Sequence, residues 1–415
     1  MKNNILKKID NLSFKYSLNF RYIFKNSFWI TTENFASLTF GLLVVYAMGN
    51  FLDPNTAGQY KYLISLAAIV SSFTIAGVTF AVTRETANGQ DSFFQYATSK
   101  SLKWSLLPIT IAFFLAAYYF FKGNSSYAVA FFLATFFTVM IANFSIYRSY
   151  LTGKEDFKQM AVYGNLILII GSLFSVLTFY FTQNLILLII GSLGSNFLLW
   201  FIMYYQVRRK IPNTDVHPTS IKNFNDYVYS QSFINIISLG ATHLDKVILF
   251  QLLGPVELAI YTFVTVLPEK IRGLLKSFSS IIFPKFVKRE MQTIKDKMLK
   301  ETLLFFAFLF FCFLGTVAIT PFVFEWFLPK YVEYTYLSLI YSLSIFSILA
   351  IIPYSAIQAK NLKEKLYTYE ILNSTIQIIF VFIGISQFGL LGAVLGKLFA
   401  SLIGIISLYI LLKIK

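Results

Sequence analysis

The sequence predicts an all-α integral membrane protein with about twelve transmembrane helices in two six-helix lobes related by a parallel pseudo-two-fold axis. Hydrophobic residues make up 57% of the chain and charged residues only 13%, whereas a soluble domain carries about 25% charged residues. Apolar runs of about 20 residues, long enough to cross a bilayer as helices, recur along the whole chain. Basic residues cluster in alternate connections between these runs.

The apolar runs are continuous rather than alternating, which favours helices over a β-barrel. We divide the chain into a cytoplasmic interfacial segment at 1–27, an N-terminal six-helix lobe at 28–206, a cytoplasmic linker at 207–228 and a C-terminal six-helix lobe at 229–415. For the segment 1–27, a basic tail without structure is the alternative. The predicted spans are 28–49, 62–83, 102–121, 127–147, 159–181, 184–206, 229–253, 256–283, 302–328, 334–357, 367–387 and 390–412.

Charge asymmetry predicts that both termini lie in the cytoplasm. In this orientation, 27 of the 35 Lys and Arg residues lie in inside segments, and the outside loops hold only Lys61, Lys122 and Lys330. Such an excess of positive charge on the inside is typical of multi-pass membrane proteins. The net charge of +16 therefore indicates topology and attraction to anionic lipid, and we expect no nucleic-acid partner.

A short internal repeat relates the two halves of the chain. FLDPNTAGQY at 51–60 aligns without gaps with LLGPVELAIY at 252–261, an offset of 201 residues. Both copies follow the first span of their half. Six spans in each half, inserted in the same sense, predict a parallel repeat, and transporters built in this way hold their substrate between the halves.

Several function classes find no support in the residues. The chain has one cysteine, Cys312, and two histidines, which cannot form a usual zinc site, so we predict no metal. GAVLGK at 392–397 lacks the glycine spacing and the following Ser or Thr of a phosphate-binding loop. We therefore expect no cofactor and no ATP hydrolysis. The short loops also leave no room for a catalytic domain, so an enzyme is disfavoured.

Basic residues inside the predicted spans carry the main functional signal. A charge at the bilayer centre costs about 2.5–3.5 kcal/mol, so these side chains must face the bundle interior or a watery cavity. Against two nearby carboxylates they leave a surplus of three positive charges, which predicts an anion-binding cavity. The structural alternative pairs Glu269 with Arg272 and Asp245 with Lys246, while the lysines extend to the interface. The five residues are Lys246, Lys270, Arg272, Lys276 and Lys397.

Three carboxylates inside spans are candidates for binding a coupling proton or sodium ion. They are Asp245, Glu33 and Glu269. Glu33 has no basic partner in its own span, so it needs a partner on another helix or a protonated, neutral state. Local ion pairing is the alternative role for Asp245 and Glu269.

Longer segments resemble a known family. Residues 47–85 contain the loop L-x-P-x-x-x-G-x-Y, then Gly77 and the closing pair Arg84–Glu85. Residues 244–288 contain Asp245, Leu-Gly-Pro, Tyr261 and Pro284, and FLPKYVE, AKNLKEK and GLLGAVLGKLFASL follow in order. Together they resemble the O-antigen and capsule repeat-unit flippases (Wzx type) of the multidrug/oligosaccharidyl-lipid/polysaccharide exporter superfamily.

The resemblance implies two six-helix lobes around a central cavity that works by alternating access. It implies an undecaprenyl-pyrophosphate-linked oligosaccharide as cargo, moved from the cytoplasmic to the periplasmic leaflet of the bacterial inner membrane, with the cationic residues on the pyrophosphate. It leaves open a contact with polysaccharide polymerase machinery.

The chain departs from the family in two ways. Ala259–Ile260 replaces the usual glycine before Tyr261, and the first lobe has no basic residue deep in a span. The competing interpretations are a cation-coupled exporter of a soluble drug or metabolite, and a scaffold that transports nothing.

Overall fold

The computed structural model describes residues 20–211, 218–276, 286, 289–360 and 362–413. Most of the predicted interfacial segment, the middle of the predicted linker and the last residues of the eighth predicted span lie outside these ranges. Helices account for nearly all of the described residues, and no strand occurs among them.

The helices follow one another with short connections. A π-helical turn at Ile190–Gly194 joins α9 to α10, and 3-10 helices at Pro329–Tyr334 and Ser342–Ala350 flank α14. The α-helices are α1 (Phe20–Phe51), α2 (Pro54–Ser71), α3 (Gly77–Ala87), α4 (Phe93–Trp104), α5 (Leu106–Phe121), α6 (Ser125–Phe144), α7 (Ile146–Gly153), α8 (Phe157–Phe181), α9 (Leu185–Ile189), α10 (Ser195–Arg208), α11 (Pro218–Leu253), α12 (Pro255–Lys276), α13 (Met291–Phe327), α14 (Thr335–Tyr341), α15 (Ile351–Ala359) and α16 (Lys363–Lys413).

Nine helical segments within the described residues are long and apolar enough to cross a membrane. One of them, Lys363–Leu412, is divided at Gly389 and so contains two predicted spans. The remaining two predicted spans correspond to the broken pair α2–α3 and to the charge-rich helix α12. The predicted all-α membrane fold is therefore confirmed, while the arrangement in two lobes stays a prediction.

Large apolar side chains cover the outside of the helices. Phe121 is 85% exposed, Phe181 76% and Trp326 75%. A surface of this kind is unfavourable in water and marks a contact with lipid or with another protein. Acyl chains of a bilayer cover such a surface, so the exposure agrees with a membrane-spanning bundle.

The two copies of the repeat begin their helices at the aligned prolines. α2 starts at Pro54 and α12 at Pro255. Proline suits the first helical position because its missing N–H has no helical partner there and its φ is already fixed. Asp53 caps α2 by accepting hydrogen bonds from two backbone N–H groups of the first turn. Gly254 precedes the second proline with a φ of 104°, a conformation that glycine adopts without strain.

The repeat copies also contact each other at the predicted outer end. A Cβ atom on Gly58 would lie 1.7 Å from the carbonyl oxygen of Pro255, so the two backbones meet directly. The Asn50 amide donates to the carbonyl of Phe327 at 2.7 Å, and the Lys330 ammonium donates to the carbonyl of Asn50 at 2.7 Å. These contacts join the two halves of the sequence.

α11 runs beside α2 and α3 and joins the halves at the other end as well. There Phe93 stacks on Phe224 with ring centroids 4.9 Å apart. The backbone N–H of Gly77 donates to Ser232 Oγ at 3.0 Å. The first and second halves are therefore in contact near both ends of α11.

Glycine shapes the turn inside α16. Gly389 has φ 57° and ψ −131°, which interrupts the helix and turns the chain back. The two arms then approach closely: a Cβ on Gly392 would lie 1.8 Å from the carbonyl oxygen of Gly384, and one on Gly396 would lie 2.4 Å from that of Phe380. Small residues permit this approach of membrane helices.

We expect Gly392→Ala to lower the free energy of unfolding by about 1–3 kcal/mol, because the added methyl group overlaps a backbone carbonyl and forces the arms apart. Thermal unfolding of the purified protein in detergent measures the effect. Gly315→Ala is the matched control, since nothing lies within 4 Å of a Cβ atom there and alanine is favoured over glycine within a helix. Equal melting temperatures for the two variants would contradict the close packing.

Candidate functional site

Three of the predicted site residues meet at one ammonium group. Lys397 Nζ lies 2.8 Å from Asp245 Oδ2 and 3.0 Å from Glu269 Oε1. These residues come from α16, α11 and α12, and we call them the Lys397 triad. The Asp245 side chain is 1% exposed and that of Lys397 is 13% exposed. Both carboxylates thus pair with Lys397, and the local pairs that the structural alternative assumed are not the ones formed.

Two tyrosine hydroxyl groups complete the triad. Tyr261 donates to Asp245 Oδ2 at 3.0 Å, and Tyr341 donates to Glu269 Oε1 at 3.2 Å. Lys397 Nζ lies 5.8 Å and 5.7 Å from the centroids of these two rings, within the range of cation–π attraction. The hydroxyl groups and rings help to compensate charges that have been removed from water.

The aligned tyrosine of the first half has a neutral hydrogen-bond partner. Tyr60, which the repeat aligns with Tyr261, donates to Ser192 Oγ at 2.8 Å. The same offset of 201 residues places Asn196 at the position of Lys397.

α12 presents cations on two different sides. A Cβ atom on Gly41 would lie 2.5 Å from Lys270 Nζ, so this ammonium group lies against α1 of the first half. Arg272 instead lines a cavity of about 150 Å³ together with Lys397. Its Nε is buried and has no hydrogen-bond partner within the described residues. Lys270 therefore faces the first half, whereas Arg272 faces a cavity within the second half.

Lys61 joins the cations that the sequence singles out. Hydropathy alone assigns it to an outside loop, but α2 begins at Pro54 and places Lys61 inside the helix, about 10 Å from its end. Its ammonium group interacts electrostatically with Lys246, Lys270 and Glu269. The first half thus contributes a cation that lies within a helix and close to the cations of the second half.

Lys276 lies apart from these groups. It is exposed at the end of α12, and it interacts electrostatically with Glu370. Glu370 also accepts a hydrogen bond from the Tyr354 hydroxyl at 3.1 Å. The sequence reasoning missed this carboxylate, although it lies within a predicted span.

Glu33 finds its partner on another helix. Arg148 Nη1 lies 2.6 Å from Glu33 Oε1. Gly164 makes room for the pair, because a Cβ atom there would lie 2.5 Å from the same carboxylate oxygen. All three predicted coupling carboxylates are therefore in ion pairs.

Lys61 of the first half lies near two lysines of the second half, Lys246 and Lys270. Lys61, Lys246 and Lys270 have no carboxylate within ion-pair distance among the described residues. Arg272 faces a different space and is not counted among them. Such a site favours an anion, and lysine donors form strong charge-assisted hydrogen bonds with phosphate oxygens. Within the described part of the chain, no three metal-ligating side chains come together.

A sequence model of the family described as polysaccharide biosynthesis protein matches residues 23–290, more than half of the chain. The chain belongs to this family. No curated protein sequence matches it.

Solved structures show the fold of this polysaccharide biosynthesis protein family member. The lipid II flippase MurJ in an inward closed conformation gives a TM-score of 0.66 at 13% identity, over 93% of this chain and 86% of that one. An inward-facing multidrug resistance MATE transporter of the MOP superfamily gives 0.63 at 14% identity, over 90% and 93%. A MOP superfamily transporter from Pyrococcus furiosus gives a TM-score of 0.58 at 13% identity, over 93% of this chain and 94% of that one. The chain is a multi-pass membrane protein with this fold.

We expect Lys397→Met to lower the stability of this family member by about 3–5 kcal/mol, because it leaves the buried Asp245 carboxylate without a compensating charge. Adding Asp245→Asn should recover part of the loss, since the two changes act on one interaction. Thermal unfolding in detergent measures both variants.

Lys154→Met is the matched control, because its ion pair with Asp91 is 37% and 24% exposed and such pairs contribute about 0–1 kcal/mol. If Lys397→Met unfolds at the temperature of this control, the triad does not hold the helices together.

Proposed function

We propose that this protein is a flippase that moves undecaprenyl-pyrophosphate-linked oligosaccharide repeat units from the cytoplasmic to the periplasmic leaflet of the bacterial inner membrane by alternating access. Membership of the polysaccharide biosynthesis protein family and a fold shared with a lipid II flippase support a lipid-linked cargo. The protein makes and breaks no covalent bond in this process and needs no cofactor.

The unpaired cations between the halves carry this proposal. Pyrophosphate is the part of the cargo that the hydrocarbon of the bilayer cannot accommodate. Lys61 from the first half and Lys246 and Lys270 from the second can bind its oxygens with charge-assisted hydrogen bonds, while the lipid tail stays in the bilayer. Arg272 and Lys276 face other spaces, so we assign the main contacts with the pyrophosphate to the three lysines.

Release of the cargo into the periplasmic leaflet requires the halves to separate at their outer contacts. The backbone contact of Gly58 with Pro255 and the hydrogen bonds of Asn50 and Lys330 would then break. We place both termini in the cytoplasm, as the charge asymmetry indicates. Polysaccharide polymerase machinery is a natural partner, because it would use the delivered units.

A coupling proton or sodium ion, if the protein uses one, has three candidate carboxylates. Asp245 and Glu269 bind Lys397, and Glu33 binds Arg148. An ion that binds to one of them must displace its basic partner. We propose that this exchange links ion binding to the positions of the helices that carry the pair.

A cation-coupled exporter of a soluble drug or metabolite is the second candidate. The similarity to multidrug resistance MATE transporters favours it. The surplus of positive charge between the halves disfavours cationic drugs as cargo, because like charges repel in a site of low polarity. An anionic soluble compound would fit the same lysines, so only a test with lipid-linked cargo separates the two candidates.

We expect Lys270→Ala and Lys61→Ala each to reduce flipping by about ten-fold or more, since each removes a charged hydrogen-bond donor to the pyrophosphate. The measurement is surface polysaccharide in cells that lack their own repeat-unit flippase and carry each variant at equal protein level. Lys270→Arg should retain most activity. Lys122→Ala, an exposed lysine at a predicted outside turn, is the control and should behave as wild type.

Two results would count against the proposal in different ways. If the alanine variants restore polysaccharide as well as wild type, the three lysines do not hold the cargo. If wild type itself fails in hosts that make several different repeat units, the exporter of soluble compounds becomes the better candidate.

A further inference from the structure

A polar cavity lies inside the second half, separate from the three lysines between the halves. It has a volume of about 150 Å³ and lies between α12, the two arms of α16 and the 3-10 helix Ser342–Ala350. A water molecule occupies about 30 Å³ in the liquid, so the cavity has room for a small ion and a few waters. Its polar lining includes Arg272, Ser344, Ser347, Asn373, Lys397 and Ser401.

Three polar atoms in this lining lack a partner. They are Arg272 Nε, Ser344 Oγ and Ser347 Oγ, all buried and without a hydrogen bond within the described residues. Ser344 is only 3% exposed. Buried polar groups in proteins almost always have a partner. All three groups can donate a hydrogen bond, and Arg272 Nε can only donate, so an acceptor in the cavity would satisfy all three.

The surrounding charge favours an acceptor that is negative. Lys397 is shared between the two carboxylates of its triad, and Arg272 interacts electrostatically with Glu269 without forming an ion pair among the described residues. Lys61, Lys246 and Lys270 form no ion pair with a described carboxylate, so the charged groups of this region carry a surplus of positive charge. Water can satisfy a serine hydroxyl, but it cannot reduce this surplus.

We propose that this cavity binds a small inorganic anion, with chloride as the expected ligand, through Arg272, Ser344 and Ser347. One guanidinium and two neutral hydroxyl groups suit a single negative charge better than a multivalent one. The inference does not rest on the proposed function, because it concerns binding to the protein alone and its test needs no cargo.

The first test is thermal unfolding of the purified full chain in detergent, in sodium chloride, sodium bromide or sodium gluconate at equal ionic strength. Chloride and bromide should raise the melting temperature in a saturable way, because a ligand of the folded state stabilises it. Gluconate is too large for the cavity and should not. The double variant Ser344→Ala/Ser347→Ala should weaken chloride binding by about ten-fold or more, since it removes two donors.

Ser342→Ala is the matched control. It lies on the same 3-10 helix, but its hydroxyl donates to the carbonyl of Ser338 at 2.8 Å and does not line the cavity. This variant should keep the chloride response of wild type. Arg272→Gln should lose it, and the serine variant decides the question if the arginine variant does not fold.

The second test is the anomalous signal of bromide in crystals grown in sodium bromide. The inference expects a peak beside Arg272, Ser344 and Ser347. Ordered water alone at this place, or equal melting temperatures in chloride and gluconate, would overturn it. A chloride response that survives in both the serine and the arginine variants would also overturn the assignment.

Discussion

The ammonium group of Lys397 constrains how three long helices of the second half face one another. It binds carboxylates from α11 and α12 while it stands on α16, so none of these helices can rotate freely about its axis. An uncompensated charge in a buried site costs several kcal/mol. Successive residues of an α-helix point about 100° apart. With Glu269 directed at Lys397, Lys270 must therefore point towards a different neighbour, which is α1.

Glycine residues leave space on facing helices for charged and polar side chains. Lys270 Nζ occupies the space beside Gly41, the ion pair of Glu33 and Arg148 occupies the space beside Gly164, and Asn373 lies against Gly404. In a membrane, a charged side chain must be enclosed by protein or reach water. A residue without a side chain on the facing helix provides that enclosure, and it also lets the helices come closer together.

Hydropathy predicts where the apolar helices lie, because this effect is local in sequence. The candidate site is only partly predictable. Asp245, Glu269 and Lys397 each stand out as charges inside spans, yet Asp245 and Lys397 are 152 positions apart, and no local rule pairs them. Closeness in sequence suggests an ion pair between Asp245 and Lys246, but adjacent side chains on a helix point in different directions.

Other features of the site depend on local structure that hydropathy does not detect. Lys61 follows a run of small and polar residues, which hydropathy assigns to a loop, whereas the proline at its start and the Asp53 cap make the run helical. Arg148 belongs by its charge to an inside connection. The continuation of the helix through α7 brings it back to Glu33 instead. In both cases, a helix that extends further than hydropathy predicts carries the basic residue into the bundle.

The aligned tyrosines of the two halves, Tyr60 and Tyr261, have different hydrogen-bond partners. In the first half, Tyr60 donates a hydrogen bond to Ser192. In the second half, Tyr261 donates to Asp245, which also pairs with Lys397. Neutral hydrogen bonds there hold helices in one arrangement, because they offer no charge for a ligand to compete for. An ion triad with unpaired cations beside it is different: a bound anion or cation changes which pairs are favourable. A ligand shifts a conformational equilibrium only through its differential affinity for the two states, and an ion that competes for Lys397 or its carboxylates would have such a differential effect.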